Sequence, residues 1–165
     1  MNPIHPALAA LATAAREMPY EDCAGALRAA LKAPAWLRPE HRVGDPKGYM
    51  RHVLYVDADG NFVITAITWL PGQVSPAHGH QVWCAYGIAE GELTEEQFRE
   101  SYGELISLGS KVYRAGEIAD RDRDCKTIHR VANRSRGTIV SLHVYGVSAD
   151  RLTTGINRVF AYDGR

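Results

Sequence analysis

Charge imbalance, long apolar runs and paired cysteines are all missing from this 165-residue chain, and each absence removes a class of protein. Lysine plus arginine (19) offset aspartate plus glutamate (19), and no Lys/Arg-rich run stands out. The basic footprint of a nucleic-acid binder is therefore absent, and polyphosphate partners are not expected. The most apolar early stretch, Pro6 to Ala15, falls short of the roughly 20 residues that span a bilayer, so no membrane partner is expected either. A signal peptide opens on basic residues, whereas the first one here is Arg16, behind an alanine-rich run. A cytoplasmic protein is the expectation. Three cysteines, Cys23, Cys84 and Cys125, cannot all pair and show no CxxC spacing, which argues against a disulfide framework and against a zinc ribbon.

What is present is an ordinary globular composition, 45% apolar and 23% charged, at a length that suits one domain over residues 1–165. Residues 1–44 read as a helical lead-in and 45–165 as a β-barrel. Leu8, Leu11, Ala15 and Met18 recur at helical spacing. Cys23, Ala26, Leu27, Ala30 and Leu31 form a second stripe with Asp22 as candidate cap, which makes Cys23 a core residue. Pro34, Pro39 and Gly44-Asp45-Pro46 then end the helical region. Beyond it, β-branched and aromatic runs alternate with turn residues, predicting strands over 49–56, 62–70, 82–88, 105–108, 126–131, 138–145 and 158–162. Turns are expected at Gly60, Gly72, Gly91, Gly103, Gly109 and Gly116, because glycine takes positive φ without steric cost. The charged stretch 121–126, which contains Cys125, reads as a solvated loop, and Cys125 is assigned no role. Seven or more strands predict a mainly β sandwich or barrel.

The histidines carry the chemical signal. His78-Gly79-His80 follows a turn and opens a strand, where residues i and i+2 share a face. Two imidazoles can then reach one metal ion if a third ligand arrives from elsewhere in the fold. Alone, the pair is weak evidence for a metal and reads more readily as solvated or core histidines. Its surroundings add spacing: five residues lie between Gly72 and His78, six between Cys84 and Gly91, and three between His129 and Asn133. This arrangement resembles the two motifs of the cupin superfamily, a small double-stranded β-helix that holds a divalent metal through the two HxH histidines, a glutamate and the histidine of the second motif. The resemblance implies His78, His80 and His129 as metal ligands, with Cys84 standing where the glutamate is expected. Three neutral imidazoles leave an ion its full charge and open positions, which suits an anionic thiolate alongside dioxygen.

Within the cupins, such a site resembles that of the thiol dioxygenases, the cysteine dioxygenase family above all. Tyr49-Met50-Arg51 is similar to the family's Tyr-x-Arg, in which the arginine holds a substrate carboxylate, and Ser141, His143 and Tyr145 resemble its outer-sphere triad. The residues themselves agree with this: at i, i+2 and i+4 of a strand, Ser141, His143 and Tyr145 face one way. Serine can fix the histidine tautomer and histidine can orient the tyrosine hydroxyl, although a solvent-facing polar strand side gives the same pattern. Arg51 offers a planar fork for a carboxylate that lysine cannot reproduce, or else a plain surface charge on an edge strand. His5, His41 and His52 read as structural or exposed. In mammalian members of the family, the cysteine corresponding to Cys84 forms a thioether with the triad tyrosine, and four residues lie between it and the second HxH histidine. Only three residues separate His80 from Cys84, so a Cys84–Tyr145 crosslink and a plain buried thiol both stand.

The resemblance implies an Fe(2+) enzyme that adds both atoms of O2 to the sulfur of a small carboxylate-bearing thiol, foremost L-cysteine to cysteine sulfinate. Sulfur would bind the iron, Arg51 the carboxylate, and Tyr145 would hydrogen-bond the reacting oxygen. A 3-mercaptopropionate dioxygenase shares the ligands and triad and is set apart chiefly by Arg51. The alternatives are a zinc or manganese cupin that isomerises or hydrolyses its substrate, and a non-catalytic metal-binding or sensor cupin. The sequence runs only a short way beyond Tyr145, so substrate contacts from that region are expected to be missing or altered. Oligomeric state is left open.

Overall fold

The computed structural model describes residues 4–17, 23–122 and 127–162. Two helices, α1 (Pro6–Glu17) and α2 (Cys23–Lys32), lead through a short 3-10 turn at Pro39–Arg42 into the strands. These are β1 (Met50–Val56), β2 (Val63–Trp69), β3 (Ala77–His80), β4 (Cys84–Glu90), β5 (Glu92–Ser101), β6 (Glu104–Arg114), β7 (Ile118–Asp122), β8 (Ile128–Ala132), β9 (Ile139–Tyr145) and β10 (Asn157–Phe160). They form two five-stranded sheets, β1-β2-β9-β4-β7 and β10-β3-β8-β5-β6, with antiparallel pairing throughout. The fold is thus mainly β, two facing sheets of the double-stranded β-helix type with N-terminal helices, as expected.

The middle strands of the first sheet, β2, β9 and β4, are covered on both faces, which explains why they read as buried runs rather than alternating ones. The sheet's outer face carries Ile64, Ala66, Leu142 and Val144, and these pack with Leu11 and Leu27 of the helices in one apolar cluster. Its inner face carries Ile67, Cys84, Tyr86, Ile139 and Tyr145, which belong to a second cluster inside the barrel. Close approach of α2 to β4 depends on Gly87, where any Cβ would run into the Leu31 side chain and the Glu117 carbonyl. Leu27 is fully buried between helix and sheet. Leu27→Ala should therefore cost about 3 kcal/mol through lost burial and a residual cavity, read as a lower urea midpoint at unchanged slope.

The strands predicted over 49–56, 62–70 and 138–145 fall within one residue of β1, β2 and β9. All six glycines expected to turn the chain have positive φ. Cys23 is core, as expected, and burial pushes its thiol up to about 11. His5, His41 and His52 are structural: His5 Nδ1 accepts from the Ala7 amide and His41 Nδ1 from the Arg38 amide, while His52 Nε2 meets the Val43 carbonyl. Three strands escaped the sequence reading. β3 is a separate strand rather than the opening of β4, and β5 and β7 are too polar in sequence to announce themselves. β7 also corrects the predicted loop, because Arg121 and Asp122 lie in a strand paired with β4. The remainder of that stretch, including Cys125, lies outside the described residues, as do Met18 and Asp22. Among the described residues, no helix is long and apolar enough to cross a membrane.

Candidate metal centre

Strands β3 and β8 are neighbours in the second sheet, and their register sets His78 directly opposite His129. His80, two residues on from His78, shares its face. All three imidazoles are buried, and one ligand nitrogen from each lies within 4.8 Å of the others, the spacing a single ion requires.

The hydrogen bonds behind two of these rings decide what they offer. His78 Nδ1 lies 2.9 Å from the Pro76 carbonyl, and His129 Nδ1 lies 3.0 Å from the Glu95 carboxylate. Both partners are acceptors, so each ring keeps its proton on Nδ1 and turns the Nε2 lone pair inward. Burial and the neighbouring His129 push His78 down to about 3, which keeps it neutral. The two Nε2 atoms then face each other at 3.1 Å with no proton between them. Lone pairs so arranged repel one another, and a shared cation turns that repulsion into coordination. The donor set therefore fits a divalent metal, and three nitrogens without a carboxylate leave positions for other ligands.

A carboxylate is nevertheless present one bond further out. Glu95 of β5 is buried, and its Oε2 receives the Tyr86 hydroxyl as well as His129 Nδ1–H, while Oε1 accepts from Gln97 Nε2 at 2.8 Å. Burial opposes its charge, but hydrogen bonds from His129, Tyr86 and Gln97 outweigh that and hold the carboxyl below its ordinary range. A ligating histidine that donates its distal N–H to a carboxylate is fixed in orientation and made a stronger donor. Neither Glu95 nor Tyr86 was legible in the sequence. Glu95 is one of four glutamates in a ten-residue strand, and only the register of β5 against β8 turns it inward.

From the opposite sheet, β9 presents Ser141, His143 and Tyr145, all buried, which excludes the solvent-facing alternative. Trp69 Nε1 donates to Ser141 Oγ at 2.9 Å. Ser141 Oγ lies 2.8 Å from His143 Nε2 and only at 3.5 Å from the Ile67 carbonyl, so its own proton goes to the imidazole. His143 then carries its single proton on Nδ1 and donates it to the Tyr145 hydroxyl oxygen at 2.9 Å. Burial drives His143 well below its ordinary value and Tyr145 well above, so both stay neutral in this chain of donors. The end of that chain is the Tyr145 hydroxyl proton, left to point at whatever occupies the cavity. Tyr86 stacks on His143 with rings 4.7 Å apart and nearly parallel, tying the two sheets' polar networks together.

Arg51 of β1 completes the lining of the same small cavity, along with Tyr49, Tyr145 and the histidine cluster. Its guanidinium lies over the Tyr49 ring at 5.1 Å, its Nη2 donates to the Tyr49 hydroxyl at 3.4 Å, and Tyr49 in turn packs on Trp69. This stack holds the fork in place while its Nε remains buried without a partner. Cys84 is buried directly across from Tyr145 on the neighbouring strand. Tyr49, Arg51, His78, His80, His129, His143 and Tyr145 thus line one interior cavity, with Ser141 bonded to His143 and Cys84 paired with Tyr145.

Two antiparallel sheets closing over a buried three-histidine cluster define a barrel of cupin type whose interior could hold a metal ion. The family model for cysteine dioxygenase type I matches residues 23–154, and the chain belongs to that family. Family and site together indicate a metal-dependent dioxygenase. Among solved structures, the chain is similar to the protein TT1209 from Thermus thermophilus, at a TM-score of 0.52 and 18% identity over 67% of this chain and 96% of that one. It is also similar to a cupin-superfamily sugar phosphate isomerase from Silicibacter pomeroyi, at a TM-score of 0.50 and 21% identity over 62% of this chain and 61% of that one. A third likeness is to Peruvianin-I, a cysteine peptidase from the latex of Thevetia peruviana, at a TM-score of 0.51 and 13% identity over 78% of this chain and 82% of that one. At these identities the likeness concerns the fold alone.

Proposed function

We propose that the protein is a ferrous thiol dioxygenase that converts a small carboxylate-bearing thiol, foremost L-cysteine, to its sulfinate. The observation that carries the reading is the pairing, in one cavity, of the three-histidine cluster with a half-buried arginine whose inward Nε has no partner. Bound to His78, His80 and His129, Fe(2+) would supply the redox chemistry that couples dioxygen to sulfur. The balance needs no further reductant: the thiol sulfur gives up four electrons, dioxygen takes four, and both oxygen atoms finish on sulfur.

The protein groups position and polarise. Arg51, braced by Tyr49, directs two N–H groups at the substrate carboxylate and so orients the thiol toward the histidines. Tyr145 holds its proton toward the same space, because His143, fixed in its tautomer by Ser141, donates to the tyrosine oxygen from behind. Apolar residues of the barrel exclude bulk water and strengthen both contacts.

Oxygen uptake by anaerobically iron-loaded protein, challenged with a panel of thiols, tests this directly, and no uptake with any thiol would remove the reading. In the same assay, Arg51→Ala should cost on the order of 2 kcal/mol, about 30-fold in kcat/KM for cysteine, and little for cysteamine, which has no carboxylate. Equal loss for both would refute the clamp. The facing positions of Cys84 and Tyr145 also bring a thioether within reach without any change of register. Peptide mapping after aerobic turnover should find a linked peptide lacking two hydrogens in part of the population. A Cys84 that alkylates fully throughout turnover would identify it as a plain buried thiol.

A further inference from the structure

The stretch beyond Tyr145 is short, yet β10 returns it to the site. β10 pairs with β3 so that Asn157 lies directly opposite His80. Facing residues of antiparallel strands project from the same side of the sheet with Cβ atoms about 4.5–5.5 Å apart, so Asn157 stands beside one of the three clustered histidines. Asn157 lines the same cavity as Arg51 and Tyr145. Its Oδ1 is shut off from solvent and receives no hydrogen bond from any described residue.

A buried acceptor left unpaired costs about 1–3 kcal/mol, and native proteins seldom tolerate one without a use. Here it is matched by an unpaired donor, Arg51 Nε, in the wall contributed by the other sheet. The cavity therefore has a cationic donor from one sheet, and an acceptor together with the histidine cluster from the other. A carboxylate satisfies the first and an amino group the second. The molecule that meets all three at once carries a thiol, a carboxylate and an amine on a short skeleton.

We propose that Asn157 is the amine-binding residue of the substrate site, its Oδ1 accepting an N–H from the substrate's amino group, and that it selects α-amino thiol acids over thiols bearing a carboxylate alone. This rests on the thiol-dioxygenase reading for the identity of the ligand, but not for its test. Binding is measured anaerobically by isothermal titration on the full chain loaded with ferrous iron, so that turnover is not required. L-cysteine and 3-mercaptopropionate, which differ by the amino group, are compared in the wild type, in Asn157→Ala and in Asn157→Asp.

The wild type should bind cysteine at least tenfold more tightly than 3-mercaptopropionate. Asn157→Ala should weaken cysteine about tenfold while leaving 3-mercaptopropionate within about twofold, and Asn157→Asp, which keeps an acceptor at that place, should retain the preference for cysteine. Equal weakening of both ligands would mark Asn157 as a merely structural residue and overturn the proposal. So would an unchanged preference in Asn157→Ala, or a wild type that binds neither thiol. Amine-selective binding without oxygen uptake would instead sink the dioxygenase reading and leave this subsite standing.

Discussion

His129→Ala should strip the centre of its metal. Structural zinc sites gain roughly 10–16 kcal/mol from about four ligands, which assigns about 3 kcal/mol, or more than 100-fold in affinity, to each nitrogen. The loss here is compounded, because His129 is the link between the cluster and the Glu95 carboxylate. Removing the ring also strands a buried charge, a penalty of several kcal/mol that can lower stability by itself. His129→Gln, which retains an N–H for Glu95 but places no imidazole nitrogen at the cluster, separates the two effects. Both variants should carry almost no iron after desalting, and His129→Gln should keep the wild-type far-ultraviolet circular dichroism. Iron retained near the wild-type level in His129→Gln would show that the third ligand lies elsewhere.

Glu95→Gln comes next in size, although Glu95 touches no substrate. It preserves shape and a hydrogen-bonding oxygen but removes the negative charge that holds His129 with its proton on Nδ1. Loss of such a supporting carboxylate costs 10–100-fold in metal affinity, so Glu95→Gln should release iron to a competing chelator at roughly 10–100-fold lower chelator concentration. The effect should be confined to the metal, with cysteine affinity of the fully loaded protein little changed, because Arg51 is held by Tyr49 rather than by this network. An unaltered chelator titration would reduce Glu95 to a packing residue.

The two networks differ in how they are written in the chain. His78 with His80, and Ser141 with His143 and Tyr145, sit at two-residue intervals on single strands, so the strand period alone places each set on one face. Glu95 acts through Tyr86 and His129, which lie on two other strands, and its sequence neighbours Glu92, Glu96 and Glu100 look the same without the register. Asn157 belongs to a four-residue strand whose importance comes from its partner β3, a pairing that spans most of the barrel region. The helices illustrate the reverse case. Their apolar stripes were plain, and what they cover follows from β2 and β9 being buried on both faces.

The chemistry itself is decided by where the oxygen goes. Iron-loaded protein given L-cysteine under heavy-isotope dioxygen should release cysteine sulfinate with both sulfinate oxygens heavy, and consume one dioxygen for each thiol lost. Cystine as the product, or a sulfinate carrying only one heavy oxygen, would contradict a dioxygenase built on His78, His80 and His129.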